Sequence, residues 1–524
     1  MDGRLKKKKV AGKMERKLAR MYRALFLVMP VMLFFSYYPV IRLGENESMN
    51  LELSLPLVGL VLFAIVGAML VVARKKASIY IQKWYCALFP VFASFSILWS
   101  GNALRGTLTV GIIWAIYIVI MNVVALRDVV ADAGYKKKWM RVFLGGAGMA
   151  AAWCIVQCVL DLMGVGRECS LLCAGCVSEM FGFPHPNGLA IEPQFMGNLL
   201  IAPIVVTAWK MNEEKRSRAE FLKWAGLLWF FAMVLLVVFS RGAIYATMVA
   251  MLFLTGYMVV KGWSGQRGMA IGKLVAMWGA IILSFAMGVV AQGVMAEIGP
   301  TNETFGGAVA KSVDQLTLGI VDFRDWGKVE GGDAMQEDGN EVQDGSDGTR
   351  DGSDEAREDG EQESGDTFEK ADDDTRASDD SLSSDSVFDG YVEESTEVRK
   401  TMTRNGLAVW GRDARTVIMG VGIGGAGTAM WEAGLIDSPK EIIQNEYANV
   451  LVETGVIGAM LLGATVIMII WKLFNRKQML IIVLMVGYGV SLVFFSGLVN
   501  ALQIYLMPVM MWAIVSAHPS VANE

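Results

Sequence analysis

The feature that most limits what this chain can fold into is a succession of apolar runs of about 17–25 residues, each long enough to cross a ~30 Å hydrocarbon core. Hydropathy predicts about twelve spans, at 21–41, 54–73, 84–100, 106–126, 140–163, 187–208, 222–239, 242–260, 273–294, 446–471, 479–498 and 500–516. Backbone polar groups in lipid must be satisfied within the segment, so such runs are read as helices. The expected fold is an all-α integral membrane protein of about 12 transmembrane helices with one large extracytoplasmic loop. With 54% hydrophobic residues in 524 and a mean hydropathy of +0.43, the chain lies well outside the range of a soluble protein. Lys6 to Lys9 precede the first run, and no small-residue cleavage site follows it, so that run is expected to stay as an anchor.

Charge orders the loops. The net charge of −5 hides an acidic block, Lys328 to Glu397, with 26 acidic and 5 basic residues. That block is worth −21 and leaves the remainder at +16. Basic residues recur on one side of the predicted membrane, at Arg74-Lys75-Lys76, Lys136-Lys137-Lys138, Lys215-Arg216-Arg218, Lys261-Arg267-Lys273 and Lys472-Arg476-Lys477. The positive-inside rule makes these loops and both termini cytoplasmic. Arg105, Glu168, Glu179, His185, Arg241 and the long loop then fall at the outer face.

The expected organisation is a basic cytoplasmic N-terminus (1–20), nine spans (21–294), an extracytoplasmic loop (295–444), three further spans (445–516) and a cytoplasmic tail (517–524). Within the loop, 328–398 is Asp, Glu, Gly and Ser with almost no large apolar residue, a composition of disorder. From 399 to 444 the texture changes, with Leu407, Val409, Trp410, Val417, Ile418 and Met419 spaced for a short amphipathic helix. This half is expected to cap an outer cavity.

Several polar residues are candidates for chemistry. Arg241, in the tight turn Phe239-Ser240-Arg241-Gly242, is either a pyrophosphate clamp, since guanidinium is a planar fork suited to phosphate oxygens, or an interfacial anchor. Arg105, after Trp99-Ser100-Gly101-Asn102, carries the same two readings. Arg404, Arg412 and Arg415 flank Trp410, where each reads more simply as a solvated charge. Glu192 precedes Pro193 near the start of a span, a costly place for a carboxylate; a hydrogen-bonded structural role is its alternative. His185 lies nearby, whereas His518 falls in the tail. If a helix begins near Asn445, positions 446, 449, 450 and 453 share one face. Glu446 and Glu453 would then both look into the cavity, about two turns apart. For Glu446 the alternative is a carboxylate placed to complement the helix dipole.

Cys169, Cys173 and Cys176 in an outer loop leave one unpaired if two join, and Cys154 and Cys158 read as small packing residues. No histidine cluster points to a metal. Gly420-Val421-Gly422-Ile423-Gly424 follows no strand and is no dinucleotide fingerprint. No cofactor and no nucleic-acid partner are expected.

These pieces, in this order, resemble the O-antigen ligase and O-antigen polymerase superfamily of bacterial membrane glycosyltransferases. The resemblance is carried by Ser96-Ile97-Leu98-Trp99-Ser100 with Arg105, Pro186-Asn187-Gly188-Leu189-Ala190, Ser240-Arg241-Gly242, Arg404 with Trp410, Gly420 to Gly424, and Asn445-Glu446-Tyr447 through Glu453-Thr454-Gly455-Val456-Ile457-Gly458. It covers most of the membrane portion and excludes the acidic block.

The resemblance implies a bacterial plasma (inner) membrane enzyme whose donor is a polyprenyl-pyrophosphate-linked oligosaccharide and whose acceptor is a glycan or lipid-glycan, acting without metal. Arginines, here Arg241, Arg404, Arg105 and Arg412, would hold the pyrophosphate. Arg241 corresponds to the family's arginine after the tight turn, and Arg404 to the loop arginine before the tryptophan. One departure is informative. The ligases place a histidine immediately before the asparagine, and Gln444 occupies that position before Asn445. Glutamine accepts no proton at neutral pH, which tilts the expectation towards a polymerase and passes the role of base to Glu453, Glu446 or Glu192. A carboxylate partly removed from water is the better proton acceptor. The alternative reading is a transporter or flippase of lipid-linked saccharides, although no half-to-half repeat is visible.

Overall fold

The computed structural model describes residues 2–36, 40–46, 49–163, 178–180, 183–190, 192–213, 217–263, 267–298, 304–317, 398–498 and 501–516. The acidic block, Glu168, Cys169, Cys173, Cys176 and His518 lie outside these residues. Among them the fold is all-helical apart from two antiparallel hairpins, β1 (Val40–Asn46) with β2 (Met49–Ser54), and β3 (Ser178–Met180) with β4 (Phe183–His185).

Seven described helices are long and apolar enough to cross a membrane: Leu55–Ala73, Ala103–Ala125, 133–160, Arg218–Val238, 241–261, 271–298 and Glu446–Asn475. Shorter apolar segments cover Trp84–Trp99, Met479–Ser491 and Leu502–Ser516.

Several boundaries differ from the hydropathy reading, each for a local reason. The run at 21–41 is the end of a longer helix, Asp2–Phe34, whose first half is basic, and Val40 and Ile41 belong to β1. The 84–100 run splits into Trp84–Ala87 (3-10), Leu88–Ser96 (α) and Ile97–Trp99 (3-10). Pro90 lies in the first turn of the middle piece, where a missing N–H is tolerated. The run at 187–208 becomes a helix only at Pro193, with proline at its first position, and ends at Met211. The run at 479–498 stops at Ser491, and residues 492–498 form an irregular loop.

The core begins as an aromatic cluster. Tyr22 stacks on Phe63 at 5.1 Å and Trp139 on Phe143 at 5.5 Å, while Trp139 Nε1 donates to the Phe26 carbonyl at 3.0 Å. These contacts join Asp2–Phe34 to Leu55–Ala73 and to Ala133–Leu162. Buried Asn122 ties Leu55–Ala73 to Ala103–Ala125. Its Nδ2 donates to the Ala64 carbonyl at 3.0 Å, and its Oδ1 accepts from Tyr80 at 2.6 Å. The amide occupies the space a side chain at residue 67 would need, which makes Gly67 a packing requirement. Met479–Ser491 packs on Arg241–Trp263 and Pro193–Met211, and Leu502–Ser516 on Ala103–Ala125.

Candidate functional site

Glu453 sits one turn inside a break. The helix Glu446–Asn475 carries a non-helical residue, Gly455, at φ 63° and ψ −171°. Almost only glycine adopts that conformation. A helix interrupted there leaves its last carbonyls without partners inside the helix. The glycine-rich turn supplies them: Val421 N–H donates to the Val452 carbonyl at 2.9 Å, and Gly422 N–H to the Glu453 carbonyl at 3.0 Å. A Cβ at Gly420 would collide with the Glu453 backbone, and one at Gly455 with the Ile418 carbonyl. The two glycines therefore allow two backbones to touch, and Gly420 (φ 75°, ψ 179°) uses the same glycine-only region.

The turn is also held from the other side by Ser96-Ile97-Leu98-Trp99-Ser100. Ser100 Oγ donates to the Ile423 carbonyl at 2.9 Å, and Ile423 N–H donates to Ser96 Oγ at 3.3 Å. Gly424 lies against Gly106 N and the Arg105 carbonyl carbon, at 2.6 and 2.9 Å from where its Cβ would stand. Arg105 starts Ala103–Ala125, whose N-cap Asn102 accepts from Arg105 N–H at 3.0 Å. Three distant stretches thus converge, and the buried Glu453 carboxylate lies within electrostatic reach of the backbone N–H groups of Gly424 and Ala426 and of Arg105. A carboxylate offers about four lone-pair sites, so the Glu453 carboxylate keeps accepting capacity.

Glu446, two turns earlier, is held differently. Its carboxylate accepts from Ser496 Oγ at 2.9 Å, Gly497 N–H at 3.3 Å and Tyr505 OH at 3.3 Å. Its own N–H donates to the Leu492 and Phe495 carbonyls at 3.0 and 3.2 Å. The carboxylate thus organises the 492–498 loop. Asn445 caps the helix, its side chain accepting from Ala448 N–H at 3.0 Å.

Glu453, Glu446 and Arg105 line one cavity of about 2080 Å3, whose walls are mostly apolar side chains of Ala103–Ala125, Glu446–Asn475 and Leu502–Ser516. The other candidates do not line it. Arg404 and Arg412 are exposed, and Arg412 pairs with Asp413 at 3.6 Å. Asp413 caps Ala414–Met419, and the Thr416 N–H holds its carboxyl below the usual range. Trp410 donates to the Val417 carbonyl at 3.1 Å, so the 398–410 helix and its successor fold on each other.

Gln444 and Glu192 meet at a second place, through an arginine that sequence reasoning did not select. Arg399 donates to Gln444 Oε1 at 3.0 Å and to Gln194 Oε1 at 3.0 Å, and acts electrostatically on the exposed Glu192. Gln194 in turn donates to the Phe494 carbonyl. Arg241 begins a helix whose Gly242 packs on Phe494, with 2.7 Å from its ideal Cβ to that side chain. The 492–498 loop is therefore shared by both clusters. Its sequence signal was Ser496-Gly497, a turn pair inside an apolar run. The His185 side chain lies outside what is described, though His185 pairs with Ser178 through the backbone. Among the described residues no group of three or more His, Cys, Asp or Glu is placed to hold a metal.

In comparisons with family models, curated proteins and solved structures, nothing matched this chain.

Proposed function

We propose that the protein is a membrane glycosyltransferase that takes a polyprenyl-pyrophosphate-linked glycan on the outer face of a bacterial inner membrane and polymerises, or ligates, cell-surface polysaccharide. The observation that carries this reading is that Glu453 and Arg105 line the same long apolar cavity within electrostatic reach of each other. A lipid-linked sugar needs both parts: an apolar trough for the chain, and a charged head where the glycosyl pyrophosphate reacts. About twelve spans and cytoplasmic termini belong to the same reading, with the shorter apolar helices, Pro193–Met211 and the second half of Asp2–Phe34 counted as spans.

The chemistry follows from the placement. An acceptor hydroxyl attacks the anomeric carbon, a new C–O bond forms, and the bond from that carbon to the pyrophosphate oxygen breaks. The hydroxyl proton passes to Glu453, and the lipid pyrophosphate leaves with its charge facing Arg105. Fixed charge in a water-poor site stabilises such a leaving group without reorganising, so neither metal nor covalent intermediate is required. Glu446 belongs to positioning, because its carboxylate is occupied by three donors. Arg399, Gln444 and Gln194 form an accessory cluster beside the 492–498 loop, and Arg404 and Arg412 belong to the surface.

The test is turnover of a polyprenyl-pyrophosphate oligosaccharide by the purified full-length protein beside Arg105→Ala and Glu453→Gln. Longer glycans from wild type, reduced about 10²–10⁴-fold in Glu453→Gln, are expected for a general base. A second reading, a flippase of the same lipid, has one observation in its favour: the cavity is lined by charge at both ends. Flipping in liposomes with no glycan extension would replace the enzyme with the transporter.

A further inference from the structure

The end of the cavity remote from Glu453 has a chemistry of its own. Leu55–Ala73, Ala103–Ala125 and Glu446–Asn475 all finish there, in Lys75-Lys76, Arg127-Asp128 and Lys472 to Arg476, and each of these named residues lines the cavity. Two of the ends are locked together: Lys76 Nζ donates to the Ala125 carbonyl at 2.9 Å and to Asp128 at 2.8 Å, and Arg74 pairs with Asp128 at 2.8 Å and with Glu15 at 3.1 Å. Lys472 Nζ donates to Tyr85 OH at 2.6 Å and lies 4.7 Å from the centre of that ring. Asp128, the carboxylate at this mouth, is therefore already engaged by two cations, and the rim keeps an excess of positive charge.

Between the two ends the walls are apolar, with Ile112, Ile116 and Ile120 on one helix facing the same cavity as Leu462, Val466 and Ile469 on another. From Arg105 to Arg127 the helix rises about 33 Å, roughly the thickness of a hydrocarbon core. Basic residues at helix C-termini complement the dipole, and cytoplasmic loops are basic anyway. Neither effect requires that the basic ends surround the opening of an apolar trough. A free anion has no use for the trough, and a lipid without charge has none for the rim.

We propose that this mouth is a second binding site, for an anionic phospholipid whose phosphate rests among Arg127, Lys472 and Arg476 and whose chain lies in the trough. The site does not depend on what Glu453 does. It places a structural or regulatory lipid in the wall of the same cavity, entering from the leaflet opposite to the proposed donor.

Native mass spectrometry of the full-length protein in detergent, titrated with phosphatidylglycerol and with phosphatidylcholine of matched chains, tests this. Phosphatidylglycerol is expected to bind about tenfold or more tighter, the scale of a few lysine or arginine contacts with an anionic headgroup. The triple substitution Arg127→Gln, Lys472→Gln, Arg476→Gln should bring it down to the level of phosphatidylcholine. The charge-preserving set Arg127→Lys, Lys472→Arg, Arg476→Lys should retain the preference. Gly463 lines the trough and has nothing within 4 Å of its ideal Cβ, so Gly463→Leu adds bulk there without an internal clash. It should weaken both lipids, and this arm, with the wild-type comparison, decides the matter even if the triple variant fails to fold. Equal binding of the two lipids by wild type, an undiminished preference in the triple variant, or no effect of Gly463→Leu would each overturn the proposal. Competition by glycerol 3-phosphate at the concentration of the lipid would make the site one for free phosphate.

Discussion

At the scale of single residues, the two glutamates of one helix face have separated into different tasks. Glu446 accepts three hydrogen bonds from the 492–498 loop and Tyr505, whereas Glu453 lines the cavity within electrostatic reach of Arg105. Glu446→Gln is therefore expected to lower stability by about 1–3 kcal/mol, the scale of charge-assisted hydrogen bonds, and to show as a lower Tm in detergent. Glu453→Gln should keep its Tm within a few degrees while the proposed transfer fails. Gly455→Ala and Gly420→Ala each force a side chain into a glycine-only conformation against another backbone. Each is expected to cost about 1–3 kcal/mol from the conformation alone, measured as loss of folded, monodisperse protein. The shared face of Glu446 and Glu453 was legible in the sequence, because helical spacing is a local property. Which glutamate would be tied down was not, since its partners Ser496, Gly497 and Tyr505 come from about 50 residues further on.

At the scale of elements, turns do the positioning. Gly420 to Gly424 closes the broken end of one helix and is clasped by Ser96 and Ser100 of a segment more than 300 residues earlier. Ser100→Ala should loosen that clasp by about 1 kcal/mol, with hydrogen exchange at 420–426 as the readout and little change elsewhere. At the opposite end, Asp128 joins the ends of two helices. Partial burial pushes its carboxyl up, but hydrogen bonding from Lys76 and the charges of Lys76 and Arg74 prevail and hold it below the ordinary range. A depressed carboxyl stabilises the folded state above the unfolded pKa of about 4 and loses that contribution as pH falls through its lower folded value. Acid unfolding should therefore begin at higher pH in Asp128→Asn, and the difference from wild type should shrink towards the acid limit. Hydropathy merged the 492–498 loop into a span, because Val493, Phe494 and Phe495 are as apolar as a helix interior. The loop exists because Glu446 and Gln194 bind its polar groups.

At the scale of the whole molecule, the cavity joins a carboxylate–arginine head to a basic mouth through an apolar passage. The acidic block of 328–397 carries 26 acidic and 5 basic residues and few large apolar ones. Deleting 328–391, a stretch rich in Asp, Glu, Gly and Ser, is expected to leave the Tm and lipid binding of the remaining protein unchanged. The sequence by itself determined that the chain is helical and apolar enough for a membrane, that one segment is a charged interruption, and which short motifs carry polar side chains. Those properties follow from composition and periodicity, which are read within a few turns of chain. Only the tertiary structure decided that Arg105 rather than Arg241 lies with Glu453, that Arg399 joins Gln444 to Gln194, and that Ser96 and Ser100 hold the glycine-rich turn. Each depends on contacts between residues far apart in the chain, where packing of helices against one another, and not local pattern, sets which side chains meet.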